Sequence, residues 1–157
     1  MTLALVRVDD RYIHGQVVVG WGQALGAELM VLVDDAVSHS EWEQELYRMG
    51  APPGMEVEFV SITDAAEKTA QVAASRRRTI VVTGDVDTLV RLCEVAPSIR
   101  KVNIGGIHQA PGRRERLPYV FLSDAEAEQL RRLAERGIDV SAQDVPTARP
   151  VALSELL

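Results

Sequence analysis

The sequence predicts an α/β domain: a doubly wound, mostly parallel sheet of about seven strands with helices on both faces. Short runs of valine, isoleucine and leucine alternate along the chain with segments whose apolar residues recur at helical spacing. Several of those runs are apolar almost throughout, as parallel strands covered on both faces require. A length of 157 residues with 46% hydrophobic composition fits a single domain over 1–157. Right-handed crossovers are expected to join the strands.

The elements follow in order. The first strand is Leu3–Val8, and the helix after it spans Gly15–Leu25. Leu29–Val33 is the second strand. Ser38-His39-Ser40-Glu41 matches a capping box, in which side chains satisfy the orphan amides of a helix, here Glu41–Met49. Pro52-Pro53-Gly54 stops that helix before a strand at Glu56–Ile62. A helix over Asp64–Ser75, a strand at Thr79–Thr83, a helix over Asp85–Val95 and a strand at Lys101–Ile104 continue the alternation. Gly105–Pro118 is the longest irregular stretch, and a loop of that length in a compact domain is often functional. A strand at Tyr119–Leu122 leads through the capping box Ser123-Asp124-Ala125-Glu126 into a helix over Asp124–Arg136. Gly137 suits the left-handed turn after it, and Ile138–Ala142 is the last strand.

A net charge of -6 argues against a general nucleic-acid partner. Two basic clusters stand out from it, Arg76-Arg77-Arg78 and Arg113-Arg114-Glu115-Arg116. Each reads as solvated surface or as a docking patch for a phosphorylated partner. Cys93 is the only cysteine, which excludes an internal disulfide, and its helical setting suggests a buried structural thiol. The N-terminus lacks the pattern of a signal peptide, and no run approaches the roughly 20 apolar residues that span a bilayer. A cytoplasmic protein is expected, with any membrane association made through partners.

Chemistry concentrates in one turn. Asp9-Asp10-Arg11-Tyr12-Ile13-His14-Gly15-Gln16-Val17 joins the first strand to the first helix. In open α/β sheets such turns lie at the carboxyl edge, where ligands bind. His14 can serve there as a nucleophile, and Arg11 can hold a phosphate by a two-pronged contact. Gly15 lets the backbone approach a ligand, and the helix start offers amides to an anion. Asn103-Ile104-Gly105-Gly106 ends another strand, and its two glycines can form an amide nest. Asp34-Asp35 and Thr83-Gly84-Asp85 close two more strands, where capping and turn chemistry is the simpler reading than metal binding. Trp21 reads as core, and His39 and His108 as solvated residues. No G-x-G-x-x-G set follows the first strand and no Walker loop is present.

On these residues the chain resembles a known family. The stretch from Asp9 to Val17, with Trp21 after it, is similar to the phosphorylation-site loop of enzyme IIB of the mannose/fructose/sorbose class of the bacterial phosphoenolpyruvate-dependent sugar phosphotransferase system. Ala51-Pro52-Pro53-Gly54 and Val102-Asn103-Ile104-Gly105-Gly106 resemble further segments, so the likeness covers essentially the full length. It implies a phosphocarrier, and so a phosphotransferase. A phosphoryl group would pass from phosphoenolpyruvate through enzyme I, the histidine carrier protein and enzyme IIA to Nδ1 of His14. It would then pass to a sugar entering through membrane components IIC and IID. Arg11 can neutralise the phosphoryl oxygens, Gly15, Gln16, Gly105 and Gly106 can bind them, and Asp9 or Asp10 can orient the imidazole or fix the loop. No cofactor or metal is called for, and a homo-oligomer is compatible with the sequence.

Two features depart from the family pattern. Tyr12 stands where an aliphatic residue is usual. Ile107-His108-Gln109-Ala110-Pro111-Gly112-Arg113-Arg114 follows the glycines, where the family usually continues with methionine and a different loop. That loop is expected to leave the same sheet edge as His14. Two other functions stay open on the residues alone. One is a IIB-like regulator, phosphorylated on His14, that signals to a protein partner. The other is a nucleotide- or flavin-binding module, suggested by fold only.

Overall fold

The structure is a computed structural model and describes residues 3–157, except the side chains of Gln16 and Val18. Its first half runs β1 (Leu3–Val8), α1, β2 (Leu29–Val33), α2 (Asp35–Ser38), α3 (Glu41–Met49), β3 (Glu56–Val60) and α4 (Ile62–Ala74). The second half runs β4 (Thr79–Thr83), α5 (Val86–Val95), β5 (Lys101–Ile104), β6 (Arg114–Leu117), β7 (Val120–Leu122), α6 (Asp124–Glu135), β8 (Asp139–Ala142) and β9 (Val151–Ala152). Helix α1 is a π-helical turn, Gln16–Trp21, continued by an α-helical turn, Gly22–Leu25. Three successive valines and Gly20 are poor α-helix formers, which suits that irregular start.

The main sheet has seven strands in the order β3-β2-β4-β1-β5-β8-β9. All its pairings are parallel except β8 with β9. The alternation of side chains splits the core in two. On one face Val6, Val8, Val31, Val81, Val102 and Val140 meet the inner sides of α4, α5 and α6. On the other, Met30, Leu32, Ile80 and Val82 pack with Ile13, Val17 and Trp21. The second cluster does not reach β5, where Asn103 is buried on that side next to Arg7. Cys93 is buried in the first cluster as expected, and burial pushes its thiol up to about 11.

The expected doubly wound fold is present, with corrections at the margins. Tyr119–Leu122 does not enter the main sheet. Its residues Val120–Leu122 form a separate antiparallel ribbon with β6, inside the stretch expected to be irregular. Strand β6 reads Arg-Glu-Arg-Leu, so it carries no apolar signal. The seventh strand is instead the two-residue β9. Ser123 and Glu126 close the capping box of α6, whereas the box expected at Ser38–Glu41 does not form. The short α2 intervenes, and the Ser38 hydroxyl donates to the Asp35 carbonyl.

The basic clusters are also corrected. Arg77 pairs with Glu56 at 3.2 Å, and Arg78 Nε donates to the Leu25 carbonyl at 2.5 Å. Both precede β4, so they lie at the edge opposite the strands' carboxyl ends. Arg113 makes a two-pronged pair with Glu126, both contacts 2.9 Å. Arg116 donates to the carbonyls of Leu156 and Leu122. Of the second cluster's arginines Arg114 is the most exposed, at 69%, with the Asp124 carboxylate 3.5 Å away. The cluster is mostly a structural clamp.

Candidate functional site

The strand order reverses direction at β1, which lies between β4 and β5 with Val8 paired to both Thr83 and Ile104. The chain leaving β1 is sewn to both neighbours. Asp9 N–H donates to the Thr83 carbonyl, Asp10 N–H to that of Gly106, and Gly105 N–H to that of Val8, each at 2.8 Å. The loop from Asp9 to Gly15 is therefore seated in the crevice at the topological switch point, as the sequence pattern anticipates.

A buried ion cluster underlies it. Asp9 has no exposed surface, and its Oδ2 accepts from Arg7 Nε at 3.2 Å, Arg7 Nη2 at 3.1 Å and Arg11 Nη2 at 2.8 Å. Its Oδ1 accepts from Arg11 Nε at 2.9 Å and the Arg11 amide at 3.1 Å. Arg7 also donates to Asn103 Oδ1 and to the carbonyls of Gln143 and Asp144, and lies 5.1 Å from the Trp21 ring centre. Trp21 itself donates to the Asp144 carbonyl at 3.2 Å, so it is core with a polar tether. Burial alone would raise the Asp9 pKa, but the hydrogen bonds and charges of Arg11 and Arg7 outweigh it and hold the carboxyl below its usual value. The same bonds raise the pKa of Arg11. Arg7 is fully buried, whereas Arg11 is 26% exposed and its Nη1 makes no hydrogen bond among the described residues.

Gly105 and Gly106 make room for this cluster. A Cβ on Gly105 would lie 2.3 Å from Arg7 Nη2, and one on Gly106 3.0 Å from Arg11 Nε. The Gly105 amide is committed to Val8, so the expected amide nest for an anion is not available there. Asp10 faces another way. Its Oδ2 accepts from the His108 amide at 2.7 Å, and its Oδ1 lies 2.6 Å from His108 Nδ1. Neither Asp9 nor Asp10 hydrogen-bonds the His14 ring among the described residues. His108 is thus a partner of the loop and not merely solvated, although its ring is 72% exposed. A cavity of about 160 Å³ beside it is lined by Arg11, Gly106, Tyr119 and Phe121 among others.

Tyr12 pins the loop from the other side. Its φ of 56° is left-handed, and its hydroxyl donates to Asp34 Oδ2 at 2.7 Å. Burial, reinforced by Asp34, pushes the phenol far above its usual range, so it stays a donor. Gly84 leaves the space, since a Cβ there would lie 2.2 Å from the Tyr12 oxygen. Asp34 also caps α2 and Asp85 caps α5, which fits the capping reading of both carboxylates. Ile13 is buried, and His14 and Gly15 after it are exposed at the start of α1. The Gln16 side chain, a candidate phosphate ligand, lies outside the described residues. Sequence reasoning missed Arg7, Asn103 and the Asp10–His108 pair; a charge inside the apolar run Leu3–Val8 was the available signal for the first.

A model of the PTS system sorbose subfamily IIB component matches residues 3–157. The chain belongs to that family. It is 33% identical over 148 residues to the N-acetylgalactosamine-specific phosphotransferase enzyme IIB component 1 of Escherichia coli K12, covering 92% of this chain and 91% of that protein. It is 26% identical to the mannose-specific EIIAB component of the same strain, covering 100% of this chain and 49% of that longer protein. The crystal structure of the IIBSor domain of the Klebsiella pneumoniae sorbose permease superimposes with a TM-score of 0.89 at 27% identity, covering 99% of this chain and 96% of that one. As a IIB component this chain is a phosphocarrier of a sugar phosphotransferase system and a component of a phosphotransferase enzyme. No helix among the described residues is long and apolar enough to cross a membrane.

Proposed function

We propose that His14 of this IIB component accepts a phosphoryl group from a phosphorylated IIA protein and passes it to a sugar entering through membrane components IIC and IID. The protein works in the cytoplasm, at the membrane only through those partners. The observation that carries this reading is the setting of His14. It stands exposed in a loop tied to β4 and β5 and pinned by Tyr12, three residues from a guanidinium aimed by a buried carboxylate. A fixed nucleophile and a fixed cation are what phosphoryl transfer asks of a protein.

In the first step Nδ1 of His14 attacks phosphorus, the bond to the donor nitrogen breaks, and the donor keeps that electron pair. In the second a sugar hydroxyl attacks, its proton leaves, and the N–P bond returns its electrons to His14. Arg11 offers Nη1 to the phosphoryl oxygens, with the backbone at Gly15 and Gln16 as further donors. Asp9 acts through Arg11 as a positioning residue, and Asp10 fixes the loop through its bond from the His108 amide. The EIIAB relative, in which one chain bears both IIA and IIB in its name, supports the IIA donor. The relatives named above are all sugar-system components, which favours this reading over a nucleotide-binding module or a regulator.

The test is phosphorylation from radiolabelled phosphoenolpyruvate with enzyme I, the histidine carrier protein and a mannose-class IIA. Label that is lost in acid and stable in alkali is expected. His14→Ala should abolish it, while His39→Ala and His108→Ala should keep it. Label on His108 of the unmodified chain would sink the assignment.

A further inference from the structure

Helix α3 carries a row of large apolar side chains that nothing among the described residues covers. Trp42, Leu46 and Met49 are 70%, 56% and 81% exposed. Their spacing of four and three residues puts them on one side of the helix. The other side is spent on the fold: the Tyr47 ring lies 6.4 Å from Phe59, and Gln44 Nε2 donates to the Val37 carbonyl at 2.9 Å. Single exposed hydrophobic residues are ordinary, but a contiguous row with a tryptophan at one end marks a contact surface.

The row leads to the phosphorylation loop. The Tyr47 ring lies 5.6 Å from that of Tyr12, and a Cβ on Gly50, next to Met49, would come 3.5 Å from the Ile13 carbonyl oxygen. The exposed row therefore ends, at Met49, one residue from a backbone contact with the loop that carries His14. Charge then selects among visitors. The helix bears Glu41, Glu43 and Glu45 against Arg48 alone, and the Arg48 guanidinium lies over the Phe59 ring at 5.1 Å. An acidic rim repels a donor that arrives carrying a phosphoryl group, and it repels a second copy of itself. It attracts the cytoplasmic loops of a membrane protein, which are enriched in lysine and arginine.

We propose that the outward face of α3, Trp42–Leu46–Met49 with its glutamate rim, docks this chain onto the basic, apolar cytoplasmic surface of its membrane-embedded acceptor. The docking rests on the transport reading above. It uses a surface separate from the loop residues that handle the phosphoryl group, so the two half-reactions should part company when the face is altered.

The experiment compares Trp42→Ala/Leu46→Ala with the unmodified protein in both halves: labelling of His14 from IIA, and transfer from the purified phosphoprotein to sugar by vesicles holding the membrane components. Labelling is expected to be unchanged. In the second half the concentration for half-maximal rate should rise about tenfold at an unchanged maximal rate, the loss expected of a contact hot spot. Glu41→Lys/Glu45→Lys should act the same way, with the difference shrinking as salt rises. Met49→Ser, changing the most exposed of the three side chains, provides a second apolar variant if the double one folds poorly by circular dichroism. Equal losses in both halves, or no loss in either, would overturn the proposal. So would light scattering that shows a dimer of the unmodified chain broken by the double variant. Failure of the unmodified chain to label at His14 would instead overturn the transport reading itself, and the docking with it.

Discussion

Asp9 is the residue on which the site turns, because it faces two guanidiniums at once and one of them has no contact with water. Its removal leaves Arg7 buried and uncompensated. Asp9→Asn should cost about 3–5 kcal/mol, read by urea denaturation at neutral pH. The pH dependence has a definite sign. The folded-state pKa of Asp9 is depressed, so its contribution is present above the unfolded value and is lost only as pH falls through the folded one. The deficit of the variant should hold down to about pH 4 and shrink below it. Arg11→Lys should keep the fold and slow transfer by about 10²–10³-fold, since lysine cannot both hold Asp9 and offer a second planar donor. Stopped-flow transfer rates with a circular-dichroism control check this. Sequence reading singled out His14 and Arg11 as candidates because they crowd one turn. It could not divide the work of Asp9 and Asp10, because Asp10's partner, His108, is 98 residues away.

At the scale of elements, strands and helices with a clear apolar run or periodicity were legible, and those held mainly by polar contacts were not. β2 and β4 are buried throughout, so their bounds were readable from the run itself. β6 is held by arginines and α2 by the Asp34 cap, neither of which leaves a periodic signal. The clamp between Arg113 and α6 makes the point energetically. The Glu126 carboxylate accepts from both Arg113 and the Ser123 amide, so it serves the ion pair and the helix cap together. Burial would raise its pKa, but the Arg113 and Ser123 contacts bring it below the usual value. Arg113→Glu should therefore destabilise the fold by about 1–2 kcal/mol, where a solvated loop residue would cost almost nothing. Thermal melts decide between the two. Tyr12→Phe removes the bond to Asp34 that spans two elements. It should cost about 1 kcal/mol and speed amide exchange at residues 11–15, read by mass spectrometry.

For the whole molecule, the strand order decides what can matter to the chemistry. The carboxyl ends of β1, β4 and β5 lie side by side, the loop that carries His14 leaves from β1, and Arg76–Arg78 lie at the far edge. Charge reversal at Arg76, which has no ion pair among the described residues, should leave transfer rates and their salt dependence at the unmodified level. A change there would mean that partners reach around the sheet. This much of the architecture was legible, because alternation of strand and helix implies a switch point. Which residues of Glu41–Met49 stay exposed was not, since apolar residues recurring at helical spacing do not say which way the helix turns them.

The placement of the tryptophans gives the molecule an optical consequence. Trp21 is sealed against Arg7 and the Asp144 carbonyl, while Trp42 stands in solvent on α3. An aqueous quencher such as iodide should extinguish the red-shifted emission of Trp42 and leave the bluer emission of Trp21. The quenched fraction then reports on what covers α3, and the surviving fraction on the packing beneath the loop that carries His14. Both signals come from the unlabelled chain in a single titration.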